Sequence, residues 1–548
     1  MQIVRAHNKN GIYLAVCIAT MALSLWVAIT LPDNWDVAWR IEVSQRMLNH
    51  AVLYRDIIEL NPPLWFWSAV PSTYFAQVFH IKSQAMLFCV IHVSTALGVW
   101  LLDRVCVPIL APINRKWLVV GALVALLLLP SRDLGQRELP VLLAGLLWGA
   151  LAVRRAEGVA SPLWLTVGVV LFSAYGFALK HYYLAIPIGL EIWLALTLKR
   201  RWQLFRLETL LLGGLGALYG AILLAFTPEF FTDIVPLTHL SYKEVRFRNT
   251  ADSNATWDHL QSQAFPALIA LVFILPQIQR HRIGQVMALT TLLHIVAVVL
   301  QGKGFFNHFL ATNGATLVLL AWACSTASRT EMVASVPSIV LLGVLTFVWV
   351  VQPLTPKFEQ PISHYSTAKP QVRPAFQAAP RSASEAVVGT ILQEPKEARI
   401  FVVSTNAGYA FFVPWRANRP QFSRYYALWM LPGLVTAELD PKERARALAF
   451  LGDVRANTIS DIKCAAPKLI IGDVTTHGRT RDKKFESYDI DPMQILLKDK
   501  AFQAWLDAHY TKAALPYRVT TWRAKDPVNL RPSGCTAHIG SVARLPAG

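Results

Sequence analysis

GIYLAVCIATMALSLWVAITLPDNWDVAWRIEVSQRMLNHAVLYRDIIELNPPLWFW runs from Gly11 to Trp67. Its opening run, 11–31, is apolar and about 20 residues long, the length an α-helix needs to cross a bilayer. Arg5 and Lys9 precede it and no small-residue cleavage site follows, so it reads as a retained span rather than a secretory leader. The stretch from Pro32 to Trp67 changes character. It places four carboxylates, Asp33, Asp36, Asp56 and Glu59, in one loop directly after the span. A helix is expected over about 36–49, then a Leu-Tyr-Arg-Asp turn, then extended backbone forced by Pro62-Pro63. Two readings fit these residues: a solvated amphipathic loop, or carboxylates set beside a membrane for chemistry.

The rest of the chain repeats the apolar pattern. Of 548 residues, 54% are hydrophobic and only 16% charged, against about 25% charged in an ordinary soluble domain. This excludes a purely soluble protein and a disordered one. Further runs of spanning character lie near 84–102, 117–131, 139–153, 162–179, 182–198, 208–226, 265–279, 284–300, 305–324 and 333–352. The run 64–79 is short and rich in Trp, Tyr and Phe. Leaving it out as a span puts Arg104, Arg115, Lys116, Arg154, Arg155, Lys199, Arg200, Arg201, Arg206, Arg280, Arg282 and Arg329 on the same side as Arg5 and Lys9. That is the positive-inside pattern. The expected architecture is therefore a polytopic α-helical membrane protein of about 11 spans, N-terminus cytoplasmic, with 64–79 lying in the interface. The formal charge of +18 is spread over both halves with no basic tract, so nucleic-acid binding is a poor reading of it.

The opposite side receives the loops 32–64, 132–138, 227–264 and 301–308, the Lys180-His181 junction, and the whole tail. Asp133, Arg137, Glu138, Lys180, Lys303 and His308 sit within a few residues of membrane depth there, where an ionisable group must pair or line a wet cavity. Snorkelling explains any one of them; the set on one face favours a shared polar cavity. The tail opens with a Pro-, Gln- and Ser-rich linker, 353–390, and continues as a mixed α/β domain over 391–548, following a membrane domain over 1–352. Arg399–Thr405 and Pro467–Val474 read as buried strands and Tyr517–Arg523 as a late one; 441–463 and 491–509 have helical periodicity. Of six cysteines, Cys464 and Cys535 lie in the tail, the pair available for a disulfide if the tail is extracytoplasmic.

These segments resemble GT-C-fold glycosyltransferases, multi-spanning enzymes that use polyprenyl-phosphate sugars, and in particular bacterial members related to the PMT and aminoarabinose transferase superfamily. The resemblance rests on Asp36 after the first span, Tyr54-Arg55-Asp56, Glu59, Asn61-Pro62-Pro63-Leu64, RDLGQRELP at 132–140, FALKHYY at 177–183 and QGKGFFNH at 301–308. It covers most of residues 11–352, and an external C-terminal domain also fits. The chain departs from many relatives at Asn61, where they carry Lys, and at Asn307-His308, where several carry Tyr-His.

The resemblance implies transfer of a sugar from a polyprenyl-phosphate donor to a hydroxyl of a glycan, glycolipid or protein, with inversion, on the periplasmic face of the bacterial inner membrane. Such chemistry needs a base for the acceptor hydroxyl and cations for the departing phosphate. Asp36 is the expected base, with Asp33 as the alternative; Asp33, Asp56, Glu59 and Asn61 are expected toward acceptor or sugar. Arg137, Lys180, Lys303 and His308 are expected at the phosphate, supported by Asp133, Glu138 and His181, the two acids holding Arg132 and Arg137. No cofactor is required. A divalent metal between carboxylates and phosphate suits this fold, but no metal-ligand spacing demands one. Gly302-Lys303-Gly304 lacks the spacing of a nucleotide P-loop. Two other readings of the chain are a transporter or flippase of a lipid-linked sugar, and a surface-polysaccharide polymerase or ligase; internal repeats, which would favour the first of these, are not evident.

Overall fold

The computed structural model describes residues 2–30, 34–242, 253–302, 305–326, 332–354, 383–417, 419, 422–436, 439–481 and 484–526. The chain forms two compact units, each gathered from separated stretches. The first comprises Met1–Asn34, Ala85–Ile222 and Thr256–Phe358; the second comprises Trp35–Gln84, Leu223–Ala255 and Glu359–Gly548.

The first unit is helical. Among the described residues, seven helices are long and apolar enough to cross a membrane: Gly11–Thr30, Ser83–Cys106, Glu138–Ala156, His181–Arg201, Leu207–Phe226, Arg282–Gln301 and Asn307–Thr326. Shorter apolar helices, Leu163–Leu179, Gln261–Phe273 and Ser338–Val351, fall on three more of the expected runs. Pro112–Leu123, extended by a π-helical turn over Val124–Leu128, falls on a fourth. Seven is thus the number that meets the length criterion, against the eleven runs read from hydropathy.

Burial separates core from periphery. Glu138–Ala156 is 89% buried and packs against Leu163–Leu179, Ala185–Leu198, Arg282–Gln301 and Leu310–Thr326. Leu207–Phe226 is only 6% buried, although it is apolar all round, which is the surface a helix offers to lipid. Gly176 sets the spacing between Glu138–Ala156 and Leu163–Leu179. A Cβ there would stand 2.4 Å from the Pro140 carbonyl oxygen and 2.6 Å from the Ala144 Cβ. Only a residue without a side chain lets the two backbones approach this far.

In the second unit the aromatic run after Pro63 forms two short helices, Leu64–Trp67 and Val70–Val78, neither long enough to span. Tyr74, Phe75 and Phe79 on the second are exposed, the face an interfacial helix presents. The tail builds β1 (Ile400–Val403), β2 (Leu469–Asp473), β3 (Thr475–Arg481), β4 (Lys484–Ile490), β5 (Tyr510–Leu515) and β6 (Val519–Ala524). One sheet runs β1-β2-β6-β5, with β1 parallel to β2 and the other pairs antiparallel; β3 and β4 form a separate hairpin.

Strand β2, Leu-Ile-Ile-Gly-Asp, is buried on both faces, as its unbroken apolar run requires. Ile470 packs with Ile462, Phe502 and Leu506 on one side, while Leu469 and Ile471 pack with Val387 and Ile391 on the other. The flanking helix Pro441–Ala465 starts where Asp440 and Glu443 form a capping box with Pro441 at the first position.

Gly176→Val is expected to destabilise the protein in detergent by about 1–3 kcal/mol or to abolish its folding. Gly213→Ala, where nothing lies within 4 Å of the new Cβ, is the matched control and should leave the melting temperature within a degree or two. Thermal melts of the two variants check this.

Candidate functional site

The expected base lies in the second unit. Asp36 occupies the first turn of the helix Trp35–Leu48, where unpaired backbone N–H groups favour a negative charge. The inner face of this helix is pinned by polar contacts. Arg40 is buried and donates from Nε to the Trp65 carbonyl at 2.8 Å and from Nη2 to Ser68 Oγ at 2.9 Å. Trp39 donates its indole N–H to Glu59 Oε2 at 2.5 Å.

Glu59 is a hub of the loop. Its Oε1 accepts the Leu60 N–H at 2.8 Å, the Asn61 N–H at 3.0 Å and Asn61 Nδ2 at 2.6 Å. The Asn61 carbonyl in turn accepts the Tyr54 hydroxyl at 2.6 Å. Asp56 Oδ2 accepts the Val52 N–H at 2.8 Å across a turn in which Tyr54 adopts φ 73°. Asp56, Glu59 and Asn61 therefore shape the loop through their own hydrogen bonds. Asp33 lies outside the described residues.

The tail closes over this loop within the same unit. Ile58 N–H donates to the Arg424 carbonyl at 2.8 Å and pairs in parallel with Tyr425. Arg46, itself paired with Glu42 at 2.7 Å, donates to the Ser423 carbonyl at 2.7 Å. The Trp39 ring meets Phe411 at 5.0 Å and Tyr426 at 5.1 Å. Behind this segment Arg424 forks onto the fully buried Asp461 at 2.8 and 3.0 Å. Burial pushes the Asp461 carboxyl up, and Arg424 offsets only part of that, so it stays above the usual carboxylate range. The roles of Trp39 and Tyr426 had no signature in the sequence, because neither belongs to a spaced motif.

The first unit holds the expected phosphate cations. Leu163–Leu179 ends at Lys180, whose extended backbone (φ −149°) separates it from the 3-10 turn His181–Leu184. The close approach at Gly176, one turn earlier, brings the Lys180 ammonium onto Glu138, the first residue of the core helix. Both are buried, at 6% and 0% exposure, so each charge is held by the other. Glu138 takes Lys180, and Asp133 accepts Asn34 Nδ2 at 2.5 Å. Gln136 Nε2 completes that group by donating to Asn34 Oδ1 at 3.1 Å.

Arg137 is half-buried, next to the core helix. Tyr183, buried within electrostatic reach of Glu138 and Arg137, donates its hydroxyl to the His308 carbonyl at 3.5 Å. The buried His308 ring faces Gln301 at 3.0 Å, nitrogen to nitrogen. His181 is exposed, with its ring 3.9 Å from that of Tyr182. Thus Arg137, Glu138, Lys180 and His308 fall in one neighbourhood linked by Tyr183, and His181 points elsewhere. Lys303 lies outside the described residues, as does Cys535; Cys464 is disulfide-bonded. Among the described residues no group of three or more His, Cys, Asp or Glu forms a metal-ligand set.

The architecture has solved counterparts. The chain is similar to the crystal structure of ArnT from Cupriavidus metallidurans bound to undecaprenyl phosphate, with a TM-score of 0.52 and 11% identity, over 96% of this chain and 99% of that one. It also matches the archaeal oligosaccharyltransferase AglB from Archaeoglobus fulgidus, in complex with an inhibitory peptide and a dolichol-phosphate, with a TM-score of 0.41 and 10% identity, over 92% and 79% of the two chains. No family model and no curated protein matches the chain. The likeness to ArnT over nearly the whole length gives the chain the GT-C fold that its sequence resembles.

Arg424→Ala leaves the Asp461 carboxylate buried without its cation and should cost about 3–5 kcal/mol. The sign with pH follows. A carboxyl whose folded pKa is raised loses stability as pH climbs from its unfolded toward its folded value, so the variant should recover stability on mild acidification. Urea unfolding monitored between pH 5 and 8 checks both.

Proposed function

We propose that the chain is an inverting glycosyltransferase that moves a sugar from a polyprenyl-phosphate donor to a hydroxyl acceptor, a glycan, glycolipid or protein, on the outer face of a bacterial cytoplasmic membrane. The observation that carries this reading is Asp36. It stands in the first turn of the helix that directly follows the first span, on a face fixed by Trp39, Arg40 and Glu59. A base for this chemistry has to be held in one place, and the contacts of Trp39, Arg40 and Glu59 do that for the helix that carries it. The GT-C fold and, in ArnT, the bound undecaprenyl phosphate support this donor class.

In the proposed reaction the acceptor oxygen attacks the anomeric carbon from the face opposite the phosphate. The bond between that carbon and the phosphate oxygen breaks, and its electron pair leaves with the polyprenyl phosphate. The acceptor proton goes to Asp36. Arg137 and Lys180 supply cations for the growing phosphate charge, Lys180 from its place beside Glu138. Arrival of a phosphate would give Lys180 a second anion to share, while His308 and Lys303 add donors. The distribution of basic loops supports an N-terminus inside and a tail outside. Asp56, Glu59 and Asn61 maintain the loop that presents Asp36.

Asp36→Asn should lower transfer by about 10²- to 10⁴-fold while donor binding and the melting temperature stay near wild type. Lys180→Ala and Lys303→Ala should weaken binding of polyprenyl phosphate. Incubation of proteoliposomes with radiolabelled polyprenyl-phosphate sugars measures both. Wild-type transfer by Asp36→Asn removes Asp36 as the base, and unchanged lipid-phosphate affinity in both lysine variants removes that assignment. Translocation of label without transfer would show a flippase instead, and use of a polyprenyl-diphosphate glycan a polymerase or ligase.

A further inference from the structure

The tail contributes one group to the surroundings of Asp36. Tyr426 lies in the segment that caps the first external loop, and every residue before it is anchored. The Ser423 carbonyl accepts from Arg46, Arg424 is forked onto Asp461, and Tyr425 pairs with Ile58 while its hydroxyl accepts Asn457 Nδ2 at 3.2 Å. The Tyr426 ring is then wedged between Trp39 at 5.1 Å and Phe411 at 5.4 Å.

The position of its hydroxyl is unusual. The oxygen is fully buried, and the group that interacts with it is the Asp36 carboxylate. The charges it faces are the carboxylates of Asp36 and, after it, Glu59. Burial first, and these two charges next, push the phenol well above its ordinary pKa. It therefore stays protonated and acts toward them as a donor. Glu59 has no need of it, because Trp39 holds one oxygen of that carboxylate and Leu60 and Asn61 the other. The acceptor that remains for the phenol is Asp36.

We propose that Tyr426 is a positioning residue for Asp36: its O–H donates to a carboxylate oxygen and fixes the orientation of the group that takes the proton of the acceptor hydroxyl. This rests on the reading of Asp36 as the base. The tyrosine keeps its own proton throughout; the proton taken from the acceptor ends on Asp36. A buried phenol is costly to leave unanswered, which holds the pair together. The tail domain thereby acts in the transfer step itself, although its sequence carries no catalytic motif.

Tyr426→Phe preserves the ring and its packing and removes only the donor. It should lower kcat by about 10- to 100-fold, the scale of a lost hydrogen bond to a charged group, with donor KM unchanged. The acid limb of the pH–kcat profile should move to higher pH, because a carboxylate that loses a donor protonates more readily. Tyr425→Phe, one residue away and bonded to Asn457 instead, should shift neither. Replacing Tyr426 by 3-fluorotyrosine strengthens the donor without altering the packing, and should move the same limb to lower pH. This holds the proposal to account even if the Phe variant folds poorly. A wild-type kcat and pH profile in the Phe variant, or an unmoved limb in the fluorinated protein, overturns the role of Tyr426. If that occurs while Asp36→Asn is inactive, the base assignment stands alone; an active Asp36→Asn removes the base assignment itself.

Discussion

A carboxylate with no exposed surface has to be answered by a cation, and in the first unit Glu138 is answered by Lys180. Much else follows from that constraint. Glu138 opens the most enclosed helix of the unit, so its position is fixed by packing on every side. Lys180 reaches it only because the neighbouring helix stops one residue earlier and because Gly176 lets the two helices touch. The backbone opened at Lys180 then feeds a short 3-10 turn carrying Tyr183, which ties the same neighbourhood to His308. One ion pair thus accounts for a broken helix, a glycine contact and a line of buried polar side chains.

The second unit uses its carboxylates differently. Glu59 takes four hydrogen bonds and is spent on architecture. Asp56 is spent on a turn. Asp36 lies in the first turn of a helix, where unpaired backbone N–H groups favour a negative charge. Three of the four loop acids are therefore sorted by their surroundings, the fourth, Asp33, lying outside the described residues. The sorting is done partly by aromatic and polar groups from the tail, Phe411, Ser423 and Tyr425 among them.

The helical membrane architecture was legible because hydropathy is a strong, local signal. So were the buried strands β1 and β2, whose apolar runs appear as Ile-Phe-Val-Val and Leu-Ile-Ile. The hairpin β3–β4 and the edge strand β5 were not. Their sequences, Thr-Thr-His-Gly-Arg-Thr-Arg and Tyr-Thr-Lys-Ala-Ala-Leu, lack the alternation that burial of one face imposes, and β5 is almost wholly exposed. At the candidate site the charged residue types suggested a chemistry, but not the partners that each residue takes. The Lys180–Glu138 pair joins positions 42 apart and the Arg46–Ser423 bond joins positions 377 apart. Such contacts depend on packing that no local pattern encodes. Tyr426 shows the same limit: its significance comes from the carboxylate it faces, which lies at the other end of the chain.

The separated stretches of the second unit have a consequence for how the protein is made. The loop that carries Asp36 is synthesised long before the groups that cover Trp39, Arg46 and Ile58, which belong to the tail. During translation the loop must wait, with these three residues uncovered, until the tail has followed. Closure of such distant contacts is slow relative to helix formation. The nascent protein is consequently a set of helices bearing an unfinished second unit, and a chain cut before the tail would hold every loop carboxylate yet leave the loop without the groups that cover it.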